Sequence, residues 1–217
     1  TISLSNHIRY FSKTGVMEKR VLYTALSLIN PSKEGFDFFR IDEMDDTYSC
    51  IVFNIDDFID FWGLSKKNGL NEIEKKARAL LEVKCWVLSL NEFRGAVEEV
   101  DSECMKGFES MEESDYGVIK LKFNKDFLLY LYNPSQHKKG YATIPIDYLK
   151  SIKSDISFYL IRACMNEISR RKLPHVVFNR KISTILTEIG VDEVDVPFKN
   201  INSKYFKVAI KEINLIA

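Results

Sequence analysis

One pattern occurs twice in this chain, and it restricts the fold more than any other feature. Phe53-Asn54 opens a short apolar-periodic run that ends at Gly63-Leu64, and Phe178-Asn179 opens another that ends at Gly190-Val191. A turn follows each run. A basic amphipathic helix follows each turn, over residues 70–82 in the first copy and 202–214 in the second. A longer apolar helix precedes each copy, over residues 17–29 and 155–171. Long helix, short helix, turn and basic helix is the skeleton of a helix-turn-helix module, whose last helix can enter a DNA major groove.

The remaining elements are read from period and punctuation. Residues 6–13 are expected to form a helical lead-in. Val21, Leu22, Ala25, Leu26 and Ile29 mark one buried helix face, and Asn30-Pro31 ends it. Residues 36–41 and 50–53 are strand candidates. Asn54 is a good N-cap, with Asp56 and Asp57 in the first turn, and Gly63 suits the C-cap. Trp86, Leu88 and Leu90 alternate, as do Ile119, Leu121 and Phe123, so the two runs are expected to pair as a hairpin. Residues 91–116 hold nine acids against Arg94 and Lys106, and read as a mobile excursion at the hairpin tip. A hairpin directly after a basic helix is the wing of a winged helix. Residues 124–132 form a closing helix with Phe127, Leu128 and Leu131 inward.

Residues 133–140 have turn composition. They divide the chain into expected units at 1–135 and 141–217. In the second unit Asn179 is expected to cap a helix over 181–189, and the last helix buries Tyr205, Phe206, Ala209, Ile210 and Ile213. The fold class is therefore α+β and rich in helix: two tandem winged-helix domains.

Charge points to the partner. Net charge is zero, but residues 1–116 carry 14 Lys+Arg against 22 Asp+Glu, and residues 117–217 carry 17 against 9. A basic second half suits a polyanion. Lys204, Lys207 and Lys211 lie at i, i+3, i+7 on the last helix, suited to phosphates. A solvated face would explain such a stripe on an isolated helix, but its place in a helix-turn-helix favours DNA. Asn202 and Ser203, at the expected start of that helix, match base edges. Arg180 and Lys181 begin the preceding helix as phosphate clamps. Lys66, Lys67, Asn71, Lys75 and Arg78 form the equivalent set in the first unit, where Glu72, Glu74 and Glu82 oppose them. Trp62 and Trp86 sit in apolar runs and belong to the core.

Other chemistry finds no support. The cysteines Cys50, Cys85, Cys104 and Cys164 form no CxxC pair and lie far from His7, His137 and His175, so no zinc site is expected. Cys85 and Cys164 read as core residues. No nucleophile triad, phosphate-cradling glycine loop or HExxH motif is present, so neither an enzyme nor a cofactor is expected. With no signal peptide and no long apolar run, a cytoplasmic protein is expected.

The order of elements resembles the plasmid replication initiator (Rep) family. The likeness includes Glu18-Lys19-Arg20-Val21-Leu22 opening the first long helix and Val118-Ile119-Lys120-Leu121-Lys122-Phe123 leading to Leu131. It includes Ser157-Phe158-Tyr159-Leu160-Ile161-Arg162, and Phe198-Lys199 with Phe206-Lys207-Val208-Ala209-Ile210-Lys211-Glu212-Ile213-Asn214. It implies tandem winged-helix domains that bind double-stranded DNA at origin repeats called iterons. It also implies a first domain that touches an adjacent groove or backbone in the monomer and mediates a homodimer away from the origin, with host replication proteins as further partners. In the family a second wing follows the last helix, where this sequence stops at Leu215-Ile216-Ala217. The runner-up is a transcription regulator of the same fold acting on operator DNA. A third reading, an interaction scaffold, rests on the acidic first half.

Overall fold

A computed structural model describes residues 1–6, 8–11, 14–36, 40, 43–66, 69–88, 102–114, 117–132, 141–171, 179–189, 191 and 197–216. The first long helix, α1 (Val16–Leu28), lies at its centre. Val21, Leu22, Tyr23, Ala25 and Leu26 are all buried, with Arg20 beside them. Each of the larger apolar side chains contributes about 1.5–3 kcal/mol by leaving water.

After a one-turn helix, α2 (Asp46–Ser49), β3 (Cys50–Asn54) alternates strictly. Ile51 and Phe53 point inward, and Val52 is exposed. Asn54 then caps α3 (Ile55–Trp62), its side chain accepting from the Asp56 N–H at 2.7 Å. Gly63 ends α3 in the left-handed region (φ 61°), which glycine adopts without steric cost. The next helix, α4 (Gly69–Ala79), runs into a short 3-10 turn, Leu80–Glu82, and buries Ile73, Ala77 and Leu80.

Among the described residues every strand pairing is antiparallel. β1 (Ile2–Ser5) pairs with β8 (Tyr141–Ile144). β2 (Ile8–Phe11), β4 (Lys84–Leu88) and β5 (Ser102–Lys106) form one three-stranded sheet in the order β2-β4-β5. β3, β7 (Val118–Phe123) and β6 (Phe108–Ser114) form another in the order β3-β7-β6. Gly107 joins β5 to β6, and its carbonyl accepts from the Asn124 N–H at 3.0 Å. Asn124 caps the single turn α5 (Lys125–Leu128), where Phe127 and Leu128 are buried.

Three expectations fail here. Residues 6–13 are not a helical lead-in, because Ile8–Phe11 is strand β2, held by pairing with a segment far along the chain. The runs around Trp86 and Leu121 are not partners. β4 pairs with β2 and β5, and β7 with β3 and β6. Nor is 91–116 wholly an excursion, since 102–114 lies in β5 and β6. The acids there stand beside lysines of neighbouring elements. Glu112 sits opposite Lys120 in register, at 3.3 Å, and Glu109 reaches Lys122 at 3.6 Å. Residues 89–101, the expected linker 133–140 and most of the expected strand 36–41 lie outside the described residues.

From Asp155 onward the described elements are helical: α6 (Asp155–Arg171), α7 (Ile182–Glu188), α8 (Phe198–Ile201), a π turn (Asn202–Phe206) and α9 (Lys207–Ile213). The last three form one continuous helix. α6 has two packed faces. Phe158 and Ile161 join the large core, where Phe158 stacks on Tyr23 at 5.5 Å between ring centres. Ile156, Tyr159 and Leu160 join a small second core with Ile185 and Ala209. The large core runs across both expected units, and β1 pairs with β8 from the other side of the expected linker.

The two best-separated cysteine environments give a check on this topology. Cys85 is fully buried on β4, which pushes its thiol pKa up, whereas Cys104 on β5 is exposed. Iodoacetamide at neutral pH is expected to label Cys104 in the folded protein and Cys85 only after unfolding, read by peptide mass spectrometry. Equal labelling of both would contradict the β4–β5 register.

Candidate nucleic-acid interface

Both helix-turn-helix units close the short helix with the same kind of backbone bond. In the first, the Leu64 N–H donates to the Ile59 carbonyl at 2.9 Å. In the second, the Val191 N–H donates to the Leu186 carbonyl at 2.8 Å. Each bond spans five residues back across the helix end, the closing bond of a Schellman cap. The start of α4 then comes very close to α3: a β-carbon on Gly69 would lie 2.5 Å from Ile59 Cδ1 and 3.3 Å from its Cγ1.

The first unit presents Asn71, Lys75 and Arg78 on the exposed side of α4. Arg78 is tied to Glu74 at 3.2 Å. Lys66 lies in the turn within 3.7 Å of Asp56 and 3.9 Å of Asp60 on α3. Lys67 is outside the described residues. Lys76 turns inward to Glu18 of α1 at 2.9 Å, and this bond holds the Lys76 pKa above its usual value. From Ile55 to Ala79 the sequence holds five basic and five acidic residues, so this segment has no net charge.

The second unit differs. Lys204, Lys207 and Lys211 are all exposed on the last helix. Glu212 is the only acid between residues 198 and 216, and it points away from them. Its Oε2 accepts from the backbone N–H groups of Lys153 and Ser154 at 3.2 Å each, and from Ser154 Oγ at 2.9 Å. Four lysines therefore share a helix whose one carboxylate is engaged elsewhere. Lys181 is exposed at the N-cap of α7. Arg180 meets the Glu188 carboxylate at 3.2 Å.

Sequence reasoning misplaced the start of this helix by four residues. It begins at Phe198, so Asn202 and Ser203 lie in the π turn and not at the N-terminus. The first turn instead exposes Phe198, Lys199 and Asn200. Pro197 at the N-cap was the available signal, because proline suits a helix start. Ile210 is 55% exposed and not buried, being about 100° round the helix from the buried Ala209. Asn179 does not cap α7 either; the N-cap is Lys181, with no side-chain bond.

The family model described as Initiator Replication protein, WH1, matches residues 2–165. The chain belongs to the replication initiator family. Among solved structures, the Pi initiator protein, crystallised in complex with iteron DNA, is 16% identical, with a TM-score of 0.68 over 98% of this chain and 85% of that one. Domains 2 and 3 of RctB are 12% identical, with a TM-score of 0.47 over 92% of this chain and 67% of that one. No protein of curated function matches the chain in sequence. The likeness to the Pi protein fixes the fold of this initiator as tandem winged helices. No described helix is long and apolar enough to cross a membrane. Among the described residues no group of His, Cys, Asp or Glu could hold a metal ion.

The contact at Gly69 yields a direct test of the first module. Gly69→Ala forces a methyl group into Ile59, and overpacking of this kind costs about 1–3 kcal/mol. Urea unfolding should show a lowered midpoint with an unchanged slope. A neutral result would mean that the end of the Ile59 side chain yields and the helix-propensity gain of alanine offsets the crowding.

Proposed function

We propose that this replication initiator binds double-stranded DNA sequence-specifically at plasmid origin repeats, acting by binding and not by catalysis. Two winged-helix units, residues 1–135 and 141–217, engage neighbouring stretches of the duplex. The observation that carries this reading is the last helix, with Lys199, Lys204, Lys207 and Lys211 exposed and its only carboxylate turned back onto α6. A helix so charged enters the major groove against phosphates on either side. Phe198, Asn200 and Ser203 stand on its exposed side with groups suited to base edges and thymine methyls. Lys181 adds a cation from the start of α7, and Arg180 stands beside it in sequence.

The first unit plays the lesser electrostatic part. Lys66, Asn71, Lys75 and Arg78 offer contacts, with Lys67 beside them in sequence, but the five carboxylates between Ile55 and Ala79 oppose them. Membership of the initiator family favours origin repeats over an operator. The Pi protein is described as bound to iteron DNA, which supports the same substrate for this chain. A homodimer through the first unit and contacts with host replication proteins complete the proposal, in the cytoplasm where plasmid DNA is copied.

Counterion release makes the reading measurable. Contact with roughly six to eight phosphates gives a slope of about −5 to −7 in log K against log salt. Replacing Lys204, Lys207 and Lys211 by glutamate should abolish specific binding to the origin repeat, while alanine at all three should lower the slope by about 3. Fluorescence anisotropy on origin and scrambled duplexes reads both. Wild-type binding with no salt dependence, or unchanged binding in the glutamate variant, would refute the assignment of this helix.

A further inference from the structure

Three consecutive residues at the start of α1 each reach a different anchor. Glu18 accepts from Lys76 of α4 at 2.9 Å. Lys19 donates to Asp155, the first residue of α6, at 2.7 Å, and to the Thr14 carbonyl at 2.8 Å. Arg20 donates to the Ile152 carbonyl at 3.2 Å and lies over the Trp62 ring of α3 at 5.4 Å. The segment 152–155, which receives Lys19 and Arg20, is also where Glu212 of α9 is fastened, through Lys153 and Ser154. The α1 side of each contact is shielded, with Glu18 and Lys19 side chains 15% and 12% exposed and Arg20 buried, while the partners Lys76 and Asp155 are 31% and 38% exposed.

An unbroken polar chain thus runs from one candidate recognition helix to the other: Lys76 on α4, Glu18-Lys19-Arg20 on α1, residues 152–155, then Glu212 on α9. Breaking either contact leaves the buried α1 partner, Glu18 or Lys19, without its counter-charge, a cost that water at the partly exposed Lys76 and Asp155 reduces. Arg162 of α6 braces the same seam from the other side by donating to the Ile8 carbonyl.

We infer that Glu18-Lys19-Arg20 fixes the placement of α4 relative to the last helix, and so sets the separation between the two DNA segments that the protein reads. This rests on the DNA-binding reading above. The three side chains are positioning residues and touch no DNA. Their effect is on avidity: two modules held at the right separation gain affinity over either alone, and lose it when the sites move.

The test uses the full chain, the native origin repeat, and repeats with one, two or three base pairs inserted between the segments protected by each unit in footprinting. Wild type should lose about a hundredfold in affinity on a two-base-pair insertion, within the range that linked binding supplies. The variant Glu18→Gln/Glu212→Gln keeps side-chain size. It should bind the native repeat about tenfold more weakly and lose less than about threefold on insertion, since the linkage advantage is what it gives up. Because a polar substitution at the seam can unfold the protein, a second pair of variants is included. Glu18→Lys alone should relax the spacing requirement, and Glu18→Lys/Lys76→Glu should restore it. A folded glutamine variant that keeps the wild-type insertion penalty, or a charge swap that restores nothing, overturns the inference. Wild type that cannot tell the native repeat from scrambled DNA instead overturns the DNA-binding reading itself.

Discussion

The burial of α1 is the constraint on which the rest of the structure depends. A helix that buries Val21, Leu22, Tyr23, Ala25 and Leu26 leaves little of its surface for water, so elements must cover it on several sides. α4 covers it through Lys76 and Glu18, and α3 through the Trp62 Nε1–Thr24 Oγ1 bond at 3.0 Å. α6 covers it through the Phe158–Tyr23 stack. Placing the helix centrally also carries its polar first turns inside. Burial pushes the Lys19 ammonium pKa down, and Asp155 partly offsets this. Losing a partner of a fully buried pair costs about 3–5 kcal/mol. The cost here is smaller, because the Asp155 side chain is 38% exposed and water screens it.

The two winged-helix units are unequal in core and charge. The first holds most of the buried side chains, including Phe108, Phe123 and Phe127, and its helix-turn-helix is electrically neutral. In the second, the described residues of its own core cluster are few: Ile156, Ile185 and Ala209 are buried, with Tyr159, Leu160, Ile189, Tyr205 and Phe206 partly buried against them. So small a cluster does little against the ordering entropy of the helices it joins. The second unit therefore draws its stability from the face of α6 turned to the first unit, and from Ile213 and Ile216 packed on the large core. The surface charge follows the opposite distribution, so one unit supplies stability and the other most of the attraction for a polyanion.

Local chemistry made much of this legible in the sequence. The Asn54 cap and the left-handed Gly63 made the first helix-turn-helix legible, since such signals act within a few residues. The second copy repeats the sequence pattern, but Asn179 does not cap α7 and Gly190 lies outside the described residues. The stripe Lys204, Lys207 and Lys211 was readable because seven residues of α-helix return within about 20° of the starting direction. Strand partnership was not readable. β7 alternates cleanly, but nothing local says that its neighbours are β3 and β6, because pairing is decided by register over long separations. Acidic β6 was hidden by charge: Glu109 and Glu112 resemble a solvated loop until Lys122 and Lys120 stand beside them.

The π turn accounts for the last misreading. Ile201 and Ala209 are both buried, yet eight residues of regular α-helix advance about 80° beyond two whole turns. A pure α-helix would swing one of them out. The turn Asn202–Phe206 closes with the Lys207 N–H donating to the Asn202 carbonyl, one residue wider than an α turn. The wider turn takes up part of the overshoot, so Ile201, Tyr205, Phe206 and Ala209 all face the body of the protein. Ile210 then falls outside that face, which a uniform 3.6-residue period does not reveal. Further along the same helix, Glu212 reaches the N-terminus of α6, where a carboxylate is favoured by the helix dipole. Removing that charge from the outer surface leaves the lysines as the field a duplex would meet, so packing the helix and charging its face are one arrangement.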